Sequence, residues 1–249
     1  MAQDIAVATI TLALTPSDAE KLRKSLEALC SYGFPIFVGE GGSLGPFRQS
    51  VATFLNVILV DPLPPGGLVR QVKAALHELI SKTEAEWILY TEPDKEHFFR
   101  TQVPALLQHI ETSPQEVGLV LASRTEAALS TFPAGQRLTE NLINAWTGQT
   151  LGSAGDYTYG PFLVRRSVAR IALDSPDDLG WGWRFYLFAR VISQGLRLEH
   201  VALDAQCPQD QRDEDDAIHR DYRVRQLAQN ASGLALGLLP TINEPARTR

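Results

Sequence analysis

The chain has 249 residues, 44% of them hydrophobic and 21% charged, an ordinary globular composition for one large or two small domains with a buried core. Its net charge of −6 and sequence pI near 5.4 exclude a general attraction to nucleic acid or anionic membrane, though not a local basic pocket. Cys30 and Cys207 are too few for a zinc site of their own or a disulfide framework, which points to a reducing, cytoplasmic setting; residues 1–4 carry no signal-peptide pattern, and no apolar run approaches the roughly 20 residues a bilayer needs.

Residues 5–14 (IAVATITLAL) form an apolar, β-branched run of strand length, suited to a strand buried on both faces. Thr15-Pro16-Ser17-Asp18 then reads as a helix start, with Thr15 as cap, Pro16 in the first turn and Asp18 where the helix dipole favours an acid. The helix extends to about residue 31. Strands follow at 35–39 and 56–60. Residues 61–67 hold three prolines and two glycines and must be a loop.

Residues 68–82 form an amphipathic helix with Val72, Ala75, Leu76, Leu79 and Ile80 inward. A short strand at 87–91 ends abruptly in Glu92-Pro93-Asp94. A helix over 99–111 and a strand over 117–123 come next. This strand–helix alternation predicts an α/β fold with a mostly parallel central sheet and helices on both faces. The second half is less regular: helix at 136–147, strand at 159–164, helix at 181–193, strand at 197–203. Residues 206–216 are polar and aperiodic, residues 221–229 suit a closing helix, and 244–249 suit a frayed tail.

Several pieces together resemble the GT-A nucleotide-diphospho-sugar glycosyltransferases, family 2-like, with relatives such as glucosyl-phosphoglycerate and mannosylglycerate synthases. They are the opening strand, turn and helix; Glu40-Gly41-Gly42-Ser43; the strand leading into Glu92-Pro93-Asp94; Gly155-Asp156-Tyr157-Thr158-Tyr159-Gly160; and Gly180-Trp181-Gly182-Trp183. The resemblance implies a single Rossmann-like GT-A domain over 1–230. Its nucleotide-binding half is about 1–125 and its acceptor half about 126–230, with a C-terminal extension at 231–249. It also implies a hexosyltransferase-type activity: transfer from a nucleotide-sugar donor to a small-molecule or glycan acceptor, assisted by Mg²⁺ or Mn²⁺.

By that resemblance Asp94 is the metal-ligand candidate, with Glu92 reaching the ribose or a metal-bound water and His219 a weaker third ligand. Thr15, Glu40, Arg70 and Lys73 are donor-side candidates. Asp156, Asp178 and Arg184 are the catalytic candidates, Asp156 as base and Arg184 as a phosphate clamp. The chain departs from the family pattern where Glu92 replaces an aspartate, Lys95 follows Asp94, Arg184 stands where an acid is common, and Cys207-Pro208-Gln209 occupies the usual histidine region.

Each candidate also has a structural reading. Asp94 can cap the next helix, Glu40 can sit in a tight turn, and Arg184 can pair with Asp177 or Asp178. Arg70, Lys73, His97, His219 and the acid run Asp213–Asp216 can be solvated surface charges. One of Trp181 and Trp183 reads as a core anchor. Two other functions remain open: a non-catalytic GT-A-like binding or assembly module, and a nucleotidyltransferase. A nucleotidyltransferase calls for a Gly-rich, basic loop after the first strand, and Thr15–Asp18 offers none.

Overall fold

The computed structural model describes residues 5–64 and 66–240; the N-terminal segment 1–4 and the tail at 244–249 lie outside the described residues. β1 (Ile5–Thr11) is buried throughout. Its alternate side chains enter two different cores, Ala6, Ala8 and Ile10 into one and Ile5 and Val7 into the other, as the two-residue period of a strand requires. α1 (Pro16–Cys30) starts as expected: Thr15 Oγ1 accepts from the Asp18 N–H at 3.1 Å, and Asp18 accepts from the Thr15 N–H at 3.0 Å. This reciprocal capping satisfies two donors that helix geometry leaves unpaired.

β2 (Ile36–Glu40), α2 (Gly45–Val51), β3 (Val57–Val60), α3 (Leu68–Lys82) and β4 (Trp87–Tyr90) follow. The helix expected over 99–111 is instead two, α4 (Glu96–Thr101) and α5 (Val103–Ile110). Pro104, in the first turn of α5, has no N–H to continue the helical ladder and forces the restart.

β5 (Val117–Arg124), α6 (Glu126–Ser130) and α7 (Ala134–Leu151) come next, α7 stopping at left-handed Gly152. β6 (Phe162–Arg165) begins three residues later than expected, because Gly160 turns the chain with φ 118° and Pro161 cannot donate to a ladder. α8 (Arg166–Ala169), α9 (Gly182–Ser193), β7 (Arg197–Leu203) and α10 (Ala217–Leu238) follow among the described residues.

The sheet has seven strands in the order β3-β2-β1-β4-β6-β5-β7. β1 runs parallel to β2 and β4, and β5 parallel to β7. β6, wedged between β4 and β5, is antiparallel to both. The carboxyl ends of β1, β2, β4 and β5 therefore share one edge with the start of β6, the edge where ligands gather in open α/β sheets. One face packs on α3 and α9, the other on α1, α4 and α5.

α10 extends well beyond the expected 221–229 and runs across residue 230. Its glycines are contact points rather than breaks: a Cβ on Gly233 would overlap the Gly182 carbonyl, and one on Gly237 would crowd the Tyr186 backbone. α10 thus lies almost backbone to backbone on α9. No helix among the described residues is long and apolar enough to cross a membrane. Cys30 and Cys207 are both free thiols.

Candidate functional site

A cavity of about 360 Å³ opens at the carboxyl edge of the sheet. The loop after β4 gives it Glu92, Asp94 and Lys95, the end of β5 gives Arg124, and the turn before β6 gives Thr158 and Tyr159. The far wall is helical: Glu140 from α7, Trp181 and Arg184 at the start of α9, and Tyr222 and Arg223 from α10.

Arg184 Nη1 donates to Glu92 Oε1 at 2.9 Å, the two side chains being 2% and 10% exposed. The guanidinium lies 5.2 Å from the centre of the Trp181 ring, and Trp181 Nε1 donates to Tyr222 Oη at 2.7 Å. Glu92 Oε2 has no hydrogen-bond partner among the described residues and lies where any Cβ on Gly160 would fall. Burial pushes the Glu92 carboxyl above its usual range, and the charges of Arg184 and Lys95 offset only part of that. Arg184 is therefore bonded to Glu92, and not to Asp177 or Asp178.

Asp94 is the accessible acid of the loop after β4. Its side chain is 48% exposed, with Lys95 Nζ 3.6 Å from Oδ1. The Lys95 ammonium also sits 5.4 Å over the Tyr159 ring. Burial alone would lower the lysine's pKa, but the Asp94 and Glu92 carboxylates outweigh it and raise it, so Lys95 stays cationic. Burial pushes the Tyr159 phenol up to about 12. The cavity mouth thus presents one carboxylate and one ammonium side by side, a combination that can meet a metal-bound or free phosphate.

The back wall is a closed polar network. Arg124 Nε donates to Asp156 Oδ2 at 2.6 Å, and its Nη2 donates to Glu140 Oε2 at 2.7 Å. Asp156 Oδ1 also accepts from Asn144 Nδ2 at 3.0 Å, the Thr158 N–H at 3.0 Å and Thr158 Oγ1 at 2.7 Å. Burial would raise the Asp156 pKa, but the Arg124 charge and these bonds hold it well below the usual carboxylate range. The Arg124 guanidinium is sandwiched between Phe132 at 4.5 Å and Tyr159 at 5.3 Å. Asp156 thus lies behind the cavity with its lone pairs in use, which corrects the expectation of a base: a carboxylate so held has little basicity to offer.

The other expected donor-side residues are not gathered here. Glu40, its side chain wholly buried, accepts from the Ser43 N–H at 2.8 Å and the Gly42 N–H at 3.0 Å and pairs with Arg48. Ser43 Oγ in turn accepts from the Ala13 N–H at 2.8 Å. The Glu-Gly-Gly-Ser turn therefore ties the loops after β1 and β2 together, and neither Glu40 oxygen is free for a ribose.

Thr15 is spent on its cap. Arg70 and Lys73 both bind Asp177, at 2.9 and 2.7 Å, beside a separate groove of about 570 Å³. Asp178 is exposed and lines neither cavity. His219 Nδ1 lies 2.9 Å from Asp216 Oδ1 at the start of α10. Among the described residues no three His, Cys, Asp or Glu converge on one point, so Glu92, Asp94 and His219 do not form a ligand set by themselves. The cavity instead includes Arg124, Glu140, Glu214, Tyr222 and Arg223, which sequence reasoning missed. A polar residue ending β5 and the Tyr222/Gln226 spacing on α10 were the available signals.

No family model and no curated protein sequence matches the chain. Solved structures do match in fold. Glucosyl-3-phosphoglycerate synthase from Mycobacterium tuberculosis in complex with Mn²⁺, uridine diphosphate and phosphoglyceric acid superposes with a TM-score of 0.65 at 15% identity, over 97% of this chain and 81% of that one. The same enzyme with Mg²⁺ and uridine diphosphate gives 0.66 at 17% identity, over 97% and 82%, and with uridine diphosphate alone 0.66 at 16%, over 97% and 82%. The fold of this chain is that of the GT-A nucleotide-sugar glycosyltransferases.

Proposed function

We propose that the chain is a hexosyltransferase that moves a sugar from a nucleotide-diphospho-sugar to a small acceptor carrying a phosphate or carboxylate. The observation behind this reading is the clustering of Asp94, Lys95 and Arg184 in one cavity at the carboxyl end of β4, in a GT-A fold. Asp94 would hold Mg²⁺ or Mn²⁺, ions found with uridine diphosphate in the similar structures. The donor set fits an ion that arrives with its nucleotide: the loop after β4 offers the Asp94 carboxylate, and diphosphate oxygens complete the shell. Such an ion would offset charge on the departing diphosphate.

Among the described residues Arg223 bonds neutral partners, Gln136 and Gln226, at 2.7 and 3.1 Å. Its charge is available for an anionic group on the acceptor. The interior carboxylates Glu92, Glu140 and Asp156 each face a guanidinium, Asp94 is given to the metal and Glu214 stands 3.8 Å from His219, so we assign none of them the acceptor's proton. The departing diphosphate then accepts it as the sugar–phosphate bond breaks and the sugar–acceptor bond forms, which is the retaining course.

The same pairing favours the second reading, a binding module without turnover. Calorimetric titration of uridine, guanosine and adenosine diphosphates, with and without Mn²⁺, decides between them when followed by turnover assays. Asp94→Ala should reduce the Mn²⁺-dependent affinity by about tenfold or more. Binding without turnover over an anionic acceptor panel leaves the module; absence of any nucleotide binding overturns both readings.

A further inference from the structure

The position of Lys95 bears on how charge is balanced at Asp94. Its Nζ lies 3.6 Å from Asp94 Oδ1, the distance at which a cation held by that carboxylate would itself stand close to the ammonium. The side chain is only 23% exposed. Its backbone stands at the N-cap of α4, and its head lies over the Tyr159 ring. Lys95 therefore stands beside Asp94 with little of its side chain in solvent. Across the cavity, Arg184 already spends its charge on Glu92 and Arg124 spends its own on Asp156 and Glu140. Arg223, on α10, is assigned above to the acceptor, which leaves Lys95 as the cation beside Asp94.

We infer that Lys95 supplies part of the positive charge a divalent ion would otherwise bring to Asp94, so that it competes with the ion in the free protein and neutralises an anionic ligand in its absence. This deepens the proposed diphosphate site and rests on that reading for its ligand. An ammonium and a divalent ion near one carboxylate repel each other, so removing the ammonium strengthens metal binding. A diphosphate relieves the conflict, because its oxygens bind both cations. It follows that nucleotide binding here depends less on metal than at a site with carboxylates alone.

The test uses the full-length protein with two probes, Mn²⁺ alone and uridine diphosphate in chelator. Lys95→Met should tighten Mn²⁺ binding by about tenfold, measured as free Mn²⁺ by electron paramagnetic resonance, and weaken uridine diphosphate binding in chelator by about tenfold. Lys95→Arg keeps the charge and should restore nucleotide affinity. Adding Asp94→Ala to Lys95→Met should abolish the gain in Mn²⁺ affinity, tying it to this carboxylate. Unchanged Mn²⁺ affinity in Lys95→Met overturns the inference, and so does unchanged chelator-insensitive nucleotide binding. If the unsubstituted protein binds no nucleoside diphosphate in either condition, the glycosyltransferase reading fails, and the Mn²⁺ measurement alone decides the role of Lys95.

Discussion

Glu92 Oε1 and Arg184 Nη1 lie 2.9 Å apart with almost no solvent around either side chain. The pair joins the loop after β4 to the first turn of α9, so it locks the two halves of the cavity together. Its Coulombic gain is offset by the cost of drying both charges, and removing one partner strands the other. Arg184→Ala should therefore cost about 3–5 kcal/mol of stability in urea titrations. The double variant Glu92→Gln with Arg184→Met, which leaves no charge buried, should lose less than the single one. Equal losses would mean that the pair acts as packing rather than as charge.

Acid sensitivity should arise in two separate windows. Burial pushes the His200 pKa from 6.5 down to about 4, so the unfolded chain binds the extra proton first. Stability should fall as pH drops from 6.5 toward 4, by about 3 kcal/mol over the full shift. Asp156 is depressed below its ordinary 3.8, so its contribution is intact above that value and fades only below it. His200→Gln should flatten the first window and Asp156→Asn the second. Chemical denaturation repeated from about pH 7 to about pH 2 separates them.

The crossing of α9 and α10 gives a prediction with an internal control. Gly233→Ala would place a methyl group on the Gly182 carbonyl. Helices cannot separate locally without losing packing along their length, so the cost should exceed about 2 kcal/mol. Gly45→Ala, where a Cβ meets nothing within 4 Å, should be neutral or slightly stabilising. Thermal melts of the two variants should differ by several degrees, and coincident melts would contradict the close crossing.

Gly160 has φ 118°, and its Cα backs onto Glu92 Oε2. Gly160→Ala is strained in the backbone and drives the Glu92 carboxylate from its place. Destabilisation by about 1–3 kcal/mol should be accompanied by weaker nucleoside-diphosphate binding. Binding unchanged in this variant would separate the Glu92 position from ligand recognition.

The sheet was largely legible because near-continuous apolar strands and capped helices leave strong local marks; α3 and β7 match their expected limits. Two misses were local, Pro104 dividing the helix over 99–111 and Gly160-Pro161 delaying β6; the miss in α10 was tertiary. Gly233 and Gly237 weaken a helix on propensity, yet α10 continues through them because it rests on α9. The same limit applies to the site. Glu92, Asp94 and Arg184 carry recognisable motif positions and do come together. Arg124, Tyr222 and Arg223 reach the cavity only through the insertion of β6 and the docking of α10, which no local pattern records. Glu40 and Asp156 look like ligand carboxylates in one dimension and prove to be braces in three.

The cavity draws on residues from Glu92 to Gln226, and its last wall is the final described helix. During synthesis β1 to β4 can pair as soon as they leave the ribosome, since their ladder needs nothing downstream until β6 arrives. The charged groups after β4 stay open to water through that interval, and Arg184 closes on Glu92 only once α9 has been made. Tyr222 and Arg223 come later still. A nascent chain thus carries the strands of the β1–β4 ladder before it carries this cavity, whose last wall waits for α10.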